Sequence, residues 1–347
     1  MKKHLLEVRD LRVSFDTYAG EVQAVRGVSF HLDAGETLAI VGESGCGKSV
    51  SMQTIMKLLP SPPVRLKSGE ILFEGRDLAR LSDREMEPYR GKDLSMIFQD
   101  SMTSLNPTMR VGKQMCEGIR CHQKVSMEEA RRIAVDMLAQ VGLPDPEGAF
   151  RRYPHTMSGG QRQRVMIAMA LACNPKILIA DEPTTALDVT MQAQILDIMK
   201  QLQQTHGTAI ILITHDLGVV AKMAQRIEVM YAGEIMESGD ARQIFYAPEH
   251  PYTWGLLGAM PNLIQKVQED LYTIPGTPPD LYAPPAGCPF AARCAYAMEC
   301  CLMEEPPVFD CGEGHTCRCW LKDPRAPRVQ RPEGLFHRDE KGGNSNG

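Results

Sequence analysis

Gly42-Glu43-Ser44-Gly45-Cys46-Gly47-Lys48-Ser49 follows a short apolar run at residues 36–41 and precedes a predicted helix. Glycine lets the backbone approach a ligand closely, so successive N–H groups of this stretch can surround a phosphate. The following helix adds the positive end of its dipole, Lys48 supplies a point charge, and the Ser49 hydroxyl can hold Mg²⁺. The pattern therefore predicts a phosphate-binding loop between a buried strand and a helix.

Patterns on either side of this loop predict an α/β fold. Apolar runs recur at residues 94–98, 176–180 and 209–214, with helical patterns between them, which favours a largely parallel sheet covered by helices. Residues 5–32 alternate apolar and polar side chains, as antiparallel strands do. One predicted helix starts with a capping box formed by Ser126 and Glu129, and it ends at Gly142.

Composition narrows the classes of function. The 347 residues carry a formal net charge of −5, with 43% hydrophobic and 23% charged residues, which is ordinary for a soluble globular chain. The negative charge argues against a nucleic-acid partner. No run approaches the roughly 18 apolar residues that span a bilayer, so any membrane span must come from another polypeptide. The start of the chain leads directly into strand-like sequence, which argues against a signal peptide.

Two carboxylates end the apolar run at residues 177–182. Carboxyl ends of parallel strands face the crevice where ligands bind in α/β proteins. Asp181 there suits the shell of a magnesium ion, and Glu182 is placed to orient or deprotonate an attacking water.

A second glycine-rich motif makes the predicted class of phosphate-binding protein specific. Met157-Ser158-Gly159-Gly160-Gln161 resembles the signature motif of ATP-binding-cassette ATPases, with Met157 where leucine is commoner. The resemblance implies a P-loop cassette fold with a RecA-like parallel core, an antiparallel β subdomain and a helical subdomain. It also implies that Ser158, Gly159, Gly160 and Gln161 bind the γ-phosphate of ATP held by the other subunit of a dimer.

Further residues characteristic of that family occur in the expected order along the chain. Gln99 resembles the glutamine that senses Mg²⁺ and the attacking water, and His215 resembles the histidine that contacts the γ-phosphate. Asp188, in Ala186-Leu187-Asp188, resembles the loop that crosses the dimer interface. Tyr18 is the candidate for stacking on adenine, with Phe15 as the alternative. The resemblance implies catalysis by Glu182, His215, Gln99 and Lys48, and binding of Mg²⁺ by Ser49, Gln99 and Asp181.

Cysteines crowd the C-terminal end of the chain. Seven of the 11 fall between Cys288 and Cys319, which favours metal or cluster binding over a disulfide scaffold. This stretch resembles the C-terminal extension of oligopeptide and dipeptide permease ATPases, as do residues 250–253 and the Gly314-His315 pair. The resemblance implies a [4Fe–4S] cluster bound by Cys288, Cys294, Cys301 and Cys319.

Other readings of the cysteines stay open. Thiolates suit zinc as well as iron, although the Cys-x-x-Cys pair of a zinc ribbon is missing, and plain reduced thiols are a third alternative. Cys300 lies beside Cys301 and Cys317 lies near Cys319, so the identity of a ligand could shift to a neighbour.

The resemblance implies a cassette domain at residues 1–260, with the helical subdomain inserted at about 100–165, and a Pro/Cys-rich extension at 261–322. Residues 323–347 are polar and rich in glycine and proline, which predicts a disordered tail. The implied function is that of an ATPase on the cytoplasmic face of the cell membrane that drives import of di- and oligopeptides. The implied partners are a paralogous ATPase or a second copy, two membrane permease subunits and an extracytoplasmic substrate-binding protein.

Three alternatives to this function remain. The same machine could import nickel, another metal chelate or a glycoside, because cargo depends on subunits that this chain does not contain. A non-transport cassette ATPase of DNA repair or translation, and a binding module without hydrolysis, are the other two.

Overall fold

The computed structural model describes residues 4–99, 104–184, 188–259 and 274–331. The strands in these ranges are β1 (Leu6–Thr17), β2 (Gly20–Leu32), β3 (Thr37–Val41), β4 (Val64–Phe73), β5 (Arg76–Asp77), β6 (Leu94–Ile97), β7 (Ile177–Asp181), β8 (Ala209–Ile213), β9 (Arg226–Tyr231), β10 (Glu234–Asp240), β11 (Phe309–Gly312) and β12 (His315–Cys317). The helices are α1 (Lys48–Ile55), α2 (Asp83–Met86), α3 (Val111–His122), α4 (Met127–Gln140), α5 (Pro146–Arg151), α6 (Gly159–Leu171), α7 (Val189–His206), α8 (Leu217–Met223), α9 (Ala241–Tyr246), α10 (Pro251–Gly258) and α11 (Glu299–Met303).

The larger sheet has eight strands in the order β11-β12-β10-β9-β3-β8-β7-β6. Its centre, from β9 to β6, is parallel, which confirms the predicted α/β fold. All residues of β3, β7 and β8 are buried, because helices or the smaller sheet cover both faces. The carboxyl ends of β3, β6, β7 and β8 therefore lie at one edge of the sheet.

The two faces of the parallel strands pack into different cores. On β7, Ile177 and Ile179 join a cluster with the smaller sheet and α1, whereas Leu178 and Ala180 join a cluster with the helices α3, α4, α6 and α7. This alternation follows from the two-residue period of a strand. The predicted antiparallel strands at residues 5–32 are β1 and β2, in a four-stranded sheet of order β2-β1-β4-β5.

Helix α4 starts where the sequence predicts, but its capping box is incomplete. The Ser126 hydroxyl accepts a hydrogen bond from the backbone N–H of Glu129. The Glu129 carboxylate does not return to the backbone of Ser126; it accepts hydrogen bonds from Arg132 at 2.6 and 3.1 Å instead. The prediction of a reciprocal box was wrong because a nearby guanidinium is a stronger donor than a neutral N–H.

The C-terminal segment (residues 274–331) contains more regular structure than the proline-rich sequence suggests. Strands β11 and β12 form a hairpin, and β12 pairs with β10 through Glu237↔Cys317 and Ser238↔Thr316, which extends the larger sheet. Residues 323–331 of the predicted tail are described, and Arg331 donates to Glu249 at 2.9 Å; residues 332–347 lie outside the described ranges. Within the described part of the chain, no helix is long and apolar enough to cross a bilayer.

Candidate functional site

The predicted phosphate loop connects β3 to α1. Gly42 and Gly47 have φ angles of +149° and +99°, which favour glycine. A Cβ at Gly47 would lie 2.4 Å from the carbonyl oxygen of Ala24, and one at Gly42 would lie 2.0 Å from that of Met230. These glycines are required because the loop passes directly over the backbones of β2 and β9.

The side chain of Lys48 lies buried across this loop. Its Nζ donates to the carbonyl oxygens of Gly42 (2.8 Å) and Glu43 (2.9 Å) and lies 3.6 Å from Cys46 Sγ. Burial raises the pKa of the Cys46 thiol, whereas the neighbouring ammonium acts to lower it. The loop thus holds a buried positive charge beside its backbone N–H groups, which is the electrostatic environment that an anion needs.

Asp181 lies buried at the end of β7. Burial raises the pKa of this carboxyl, while a hydrogen bond with Ser49 acts in the opposite direction. Its Oδ1 has no hydrogen-bond partner among the described residues. A buried carboxylate oxygen in this condition, beside a serine hydroxyl, fits the hard oxygen donors that Mg²⁺ prefers.

Three predicted catalytic side chains meet at the same edge of the sheet. The Glu182 carboxylate accepts a hydrogen bond from Gln99 Nε2 at 3.0 Å and lies 3.2 Å from His215 Nδ1. These residues follow β7, β6 and β8, which are neighbours, so strand order alone brings them together. Glu182 also has a φ of +48°, a left-handed conformation that is unusual for a side chain with a Cβ and that is concentrated at functional sites.

The signature motif forms the start of α6. The exposed Ser158 accepts from the N–H of Gln161, whose side chain accepts in turn from the N–H of Ser158, so this capping box is complete. Gln163 is buried and donates to the carbonyl oxygen of Pro183 at 2.5 Å, one residue beyond Glu182. The signature helix is therefore tied to the strand end that carries the two carboxylates.

Asp188 caps the start of the neighbouring helix α7, where its carboxylate accepts from the N–H of Met191 at 2.8 Å. A Cβ at Gly160 would lie 2.2 Å from Cε of Met191, so the glycine permits the close packing of α6 and α7. Gly159 has no such neighbour within 4 Å. Ala186 and Leu187, the other residues of the predicted interface loop, lie outside the described ranges.

The two candidates for stacking on adenine differ in exposure. Tyr18 is fully exposed in the turn between β1 and β2, whereas Phe15 packs against the core beneath the smaller sheet. Tyr18 is therefore the one that can present a free ring face. The adjacent Thr17 hydroxyl lies 2.5 Å from the hydroxyl of Tyr282 in the C-terminal segment.

The four predicted cluster ligands, Cys288, Cys294, Cys301 and Cys319, converge in the C-terminal segment. Each thiol lies close enough to the other three for electrostatic interaction. Burial raises the pKa of Cys288 to about 12 and that of Cys294 to about 11. The pKa of Cys319 is lowered, because the Cys317 thiol donates a hydrogen bond to it.

Backbone N–H groups also point at these four sulfurs. The N–H groups of Phe290, Tyr296 and Leu321 donate to the cysteine two residues earlier in each case, and that of Met298 lies 3.4 Å from Cys301 Sγ. Such bonds stabilise a thiolate. Cys300, by contrast, is exposed.

Sequence reasoning missed the link between the two sites. Arg293, one residue before Cys294, donates to the carboxylate of Glu43 in the phosphate loop at 2.7 Å. The hydroxyl of Tyr252 accepts from the N–H of Glu43 at 2.9 Å. No local pattern could have revealed these contacts, since Arg293 and Glu43 lie 250 positions apart.

A glycine-rich phosphate loop after β3, paired carboxylates after β7 and a serine–glycine motif opening α6 together define an ATP-binding-cassette ATPase. Comparisons with known proteins agree. Residues 25–185 match the ABC transporter family, and residues 236–301 match the C-terminal region of oligopeptide/dipeptide transporters. The chain belongs to the ATP-binding subunits of ABC transporters of the oligopeptide/dipeptide family.

Individual relatives support this membership. The oligopeptide transport ATP-binding protein OppD of Bacillus subtilis is 61% identical over 331 residues, which cover 95% of this chain and 92% of that protein. The dipeptide transport ATP-binding protein DppD of the same organism is 57% identical over 93% of this chain and 96% of its own length. The dimeric structure of the bacterial ABC transporter cassette MJ0796 superposes with a TM-score of 0.62 at 28% identity, covering 68% of this chain and 99% of that one.

Proposed function

We propose that this chain binds and hydrolyses ATP to power uptake of di- and oligopeptides across the cytoplasmic membrane. The observation that carries the proposal is the similarity to OppD, which extends over 95% of the chain and so includes the C-terminal segment as well as the cassette. Both Bacillus subtilis relatives are named for peptide transport. Peptides are therefore preferred to nickel, another metal chelate or a glycoside, and transport is preferred to a role in DNA repair or translation.

Hydrolysis would take place at the edge formed by β6, β7 and β8. The phosphate loop and Lys48 would hold the β- and γ-phosphates of ATP. Glu182 would take the proton of the attacking water, with its carboxylate oriented by Gln99 and His215. Ser49, Asp181 and Gln99 are the residues that would hold Mg²⁺, which neutralises charge on the phosphates when bound.

The second half of each ATP site would come from another ATPase subunit. Ser158 is exposed at the start of α6, where it is available to nucleotide on a partner, and the related MJ0796 cassette is dimeric. The partner would be a paralogous ATPase or a second copy of this chain. The dimer would sit peripherally on the cytoplasmic face, against two membrane permease subunits that receive peptide from an extracytoplasmic binding protein.

The test is uptake by a reconstituted complex. The chain is combined with its companion ATPase and two permease subunits in ATP-loaded vesicles, and entry of a labelled dipeptide, tetrapeptide and Ni²⁺ is followed with the binding protein present. We expect peptide uptake that Lys48→Ala abolishes and that Lys200→Ala, on the exposed side of α7, leaves unchanged. Nickel uptake without peptide uptake would refute the cargo, and full turnover of Lys48→Ala would refute the ATPase site.

We further propose that Cys288, Cys294, Cys301 and Cys319 hold a [4Fe–4S] cluster, which would cross-link the C-terminal segment. Four convergent thiols with backbone donors suit such a group. Tetrahedral zinc, with Zn–S bonds of about 2.3 Å, would need sulfurs about 3.8 Å apart. The described residues contain one group of three or more ligand atoms within 4.8 Å, and it is His4, His31 and Asp33, without a cysteine.

Adjacent cysteines provide a matched test of the cluster. Cys301 is buried within the group of four, and Cys300 is exposed beside it. Anaerobically purified protein should be brown, with about four irons per chain. Cys301→Ser should lose iron and colour, whereas Cys300→Ser should keep both. One zinc and no iron would favour the zinc alternative, and protein without either metal would favour reduced thiols.

A further inference from the structure

Glu43 is the second residue of the phosphate loop, and all of its polar groups have partners. Its carbonyl oxygen accepts from Lys48 Nζ at 2.9 Å, and its N–H donates to the Tyr252 hydroxyl at 2.9 Å. Its carboxylate accepts from Arg293 Nη1 at 2.7 Å. The position of Glu43 therefore fixes one of the two carbonyls that hold the Lys48 ammonium.

Arg293 is a buried cation, with 7% of its side chain exposed. Besides Glu43, it donates to the Tyr231 hydroxyl at 3.1 Å and to the carbonyl oxygens of Pro275 and Ile274 at 2.8 and 3.5 Å. Among the described residues, Glu43 supplies the one carboxylate in these contacts. Because a buried guanidinium without a counter-charge is strongly unfavourable, the pair couples the location of the loop to that of Arg293.

The backbone around Arg293 belongs to the cysteine pocket, as we call the site formed by Cys288, Cys294, Cys301 and Cys319. The short 3-10 turn Ala291–Arg293 lies between Cys288 and Cys294, and the N–H of Cys288 donates to the carbonyl of Cys301 at 2.8 Å. Whatever holds the four cysteines together therefore also sets where the guanidinium stands.

Other parts of the C-terminal segment also line the phosphate loop. Pro278, Pro279 and Leu281 line a cavity of about 30 Å³ together with Glu43, Ser44 and Gly45. The carbonyl oxygen of Leu281 accepts from the N–H of Gln23 on β2 at 3.0 Å. The segment thus forms a wall beside the loop, and Arg293 is its charged contact.

We propose that Arg293 is a positioning residue of the ATP site: through Glu43 it holds the phosphate loop in its binding conformation and makes that conformation depend on the cysteine pocket. The inference rests on the proposed role of residues 42–49 in binding ATP. Arg293 does not contact the nucleotide in this proposal; it acts through the backbone of Glu43.

The test compares Arg293→Lys, Glu43→Gln and the double variant in the full-length chain. Lysine keeps the charge but cannot reach Glu43, Tyr231 and two carbonyls together. Each single variant should weaken MgATP binding about 2- to 30-fold. MgADP should weaken by the same factor, because the loop holds the β-phosphate that both nucleotides share, while kcat at saturating ATP in the assembled complex should change less than about twofold.

The double variant should bind no more weakly than the weaker single variant, since both remove the same contact. Additive losses, or unchanged affinity in Arg293→Lys, would overturn the proposal. Should Arg293→Lys fail to fold, as judged by its thermal unfolding, Glu43→Gln alone carries the test, and wild-type affinity in it is equally contrary.

Arg318→Lys is the matched control. Arg318 lies next to Cys319 as Arg293 lies next to Cys294, but its ion-pair partners, Glu234 at 2.9 Å and Glu305 at 3.4 Å, lie outside the phosphate loop. The Arg318→Lys variant should bind nucleotide as tightly as the parent and contain the same amount of iron. An equal loss of affinity in Arg318→Lys and Arg293→Lys would assign the effect to the cysteine pocket in general and overturn the role of Arg293. Lys48→Ala separates this inference from the proposed function: if it still binds MgATP, the site itself is wrong.

Discussion

The sheet edge that carries the proposed catalytic residues and the cysteine pocket are assembled in different ways. At the edge, Gln99, Glu182 and His215 follow three adjacent parallel strands, so sheet order places them within hydrogen-bonding distance. In the pocket, short segments are held by contacts between distant parts of the chain, such as Arg293 with Glu43 and His315 with Glu237. A site of the first kind depends on the sheet, whereas one of the second kind depends on individual polar pairs.

Glu237 shows what such a pair does. Its fully buried carboxylate lies 2.7 Å from His315 Nε2 and accepts the backbone N–H groups of Glu249 and His250 at 2.6 and 3.0 Å. It therefore joins β10, the turn before α10 and the C-terminal hairpin at one point. Substitutions at the two kinds of site should separate activity from stability.

The largest effect should come from Glu182→Gln. Loss of the proposed base should slow ATP hydrolysis roughly 10²- to 10⁴-fold, or about 3–5 kcal/mol, while MgATP still binds. Phosphate release by the assembled complex and binding of a fluorescent ATP analogue measure the two quantities. Thermal unfolding should stay close to that of the parent, and undiminished hydrolysis would remove Glu182 from its assigned role.

Glu237→Ala should instead lower the stability of the folded chain. It leaves His315 and two backbone N–H groups buried without their acceptor, so we expect a loss of about 3–5 kcal/mol in the free energy of unfolding. Denaturant unfolding followed by circular dichroism measures it. Glu304→Ala, an exposed carboxylate in the same segment, is the control; equal stability of the two variants would show that the Glu237 contacts do not anchor the segment.

A smaller, pH-dependent effect should come from Glu228 on β9, the strand between the two regions. Burial raises the pKa of Glu228 to about 7, although Arg226 at 3.1 Å acts to lower it. The folded chain therefore keeps a proton that the unfolded chain releases above its ordinary pKa of 4.5. The stability due to this group is complete below that value and is lost as pH rises through about 7.

Glu228→Gln removes this titration. The difference in unfolding free energy between variant and parent should therefore shift by about 2 kcal/mol in favour of the variant when the pH is raised from 5 to 8. Urea unfolding at both pH values tests it, with Glu117→Gln on the exposed face of α3 as the control. A difference in unfolding free energy between variant and parent that is the same at both pH values would contradict the raised pKa of Glu228.

The smallest effect should come from Tyr18→Ala, which removes the proposed stacking partner of adenine. We expect MgATP to bind roughly 5- to 10-fold more weakly, or about 1 kcal/mol, with most affinity restored in Tyr18→Phe. Isothermal titration calorimetry provides the comparison. Tyr246→Ala, at another exposed tyrosine, should bind normally, and normal binding by Tyr18→Ala would dismiss Tyr18.

These two regions also differ in what the sequence could predict. β3, β7 and β8 were predictable because strands buried on both faces are continuous apolar runs, and their ends locate Lys48, Asp181 and Glu182. The N-cap role of Ser158 follows from its neighbours along the chain. Each of these features is encoded within a few residues.

The remaining features depend on partners that no local pattern names. Strands β11 and β12 are short, and β12 takes its backbone partners from β11 on one side and from the distant β10 on the other. The carboxylate of Glu129 prefers Arg132 to the backbone, a choice between two nearby donors that the capping pattern does not decide. The Glu43–Arg293 pair joins the phosphate loop to an arginine 250 positions further along the chain.

The hairpin on β10 has one more consequence. Without β12, β10 would be the outermost strand of the sheet, and its free N–H and C=O groups could pair with another chain. A cassette cut after residue 259 should therefore self-associate in solution even if its nucleotide site is intact. The C-terminal hairpin thus protects β10 from pairing with another chain, and its removal should lower the solubility of the protein first.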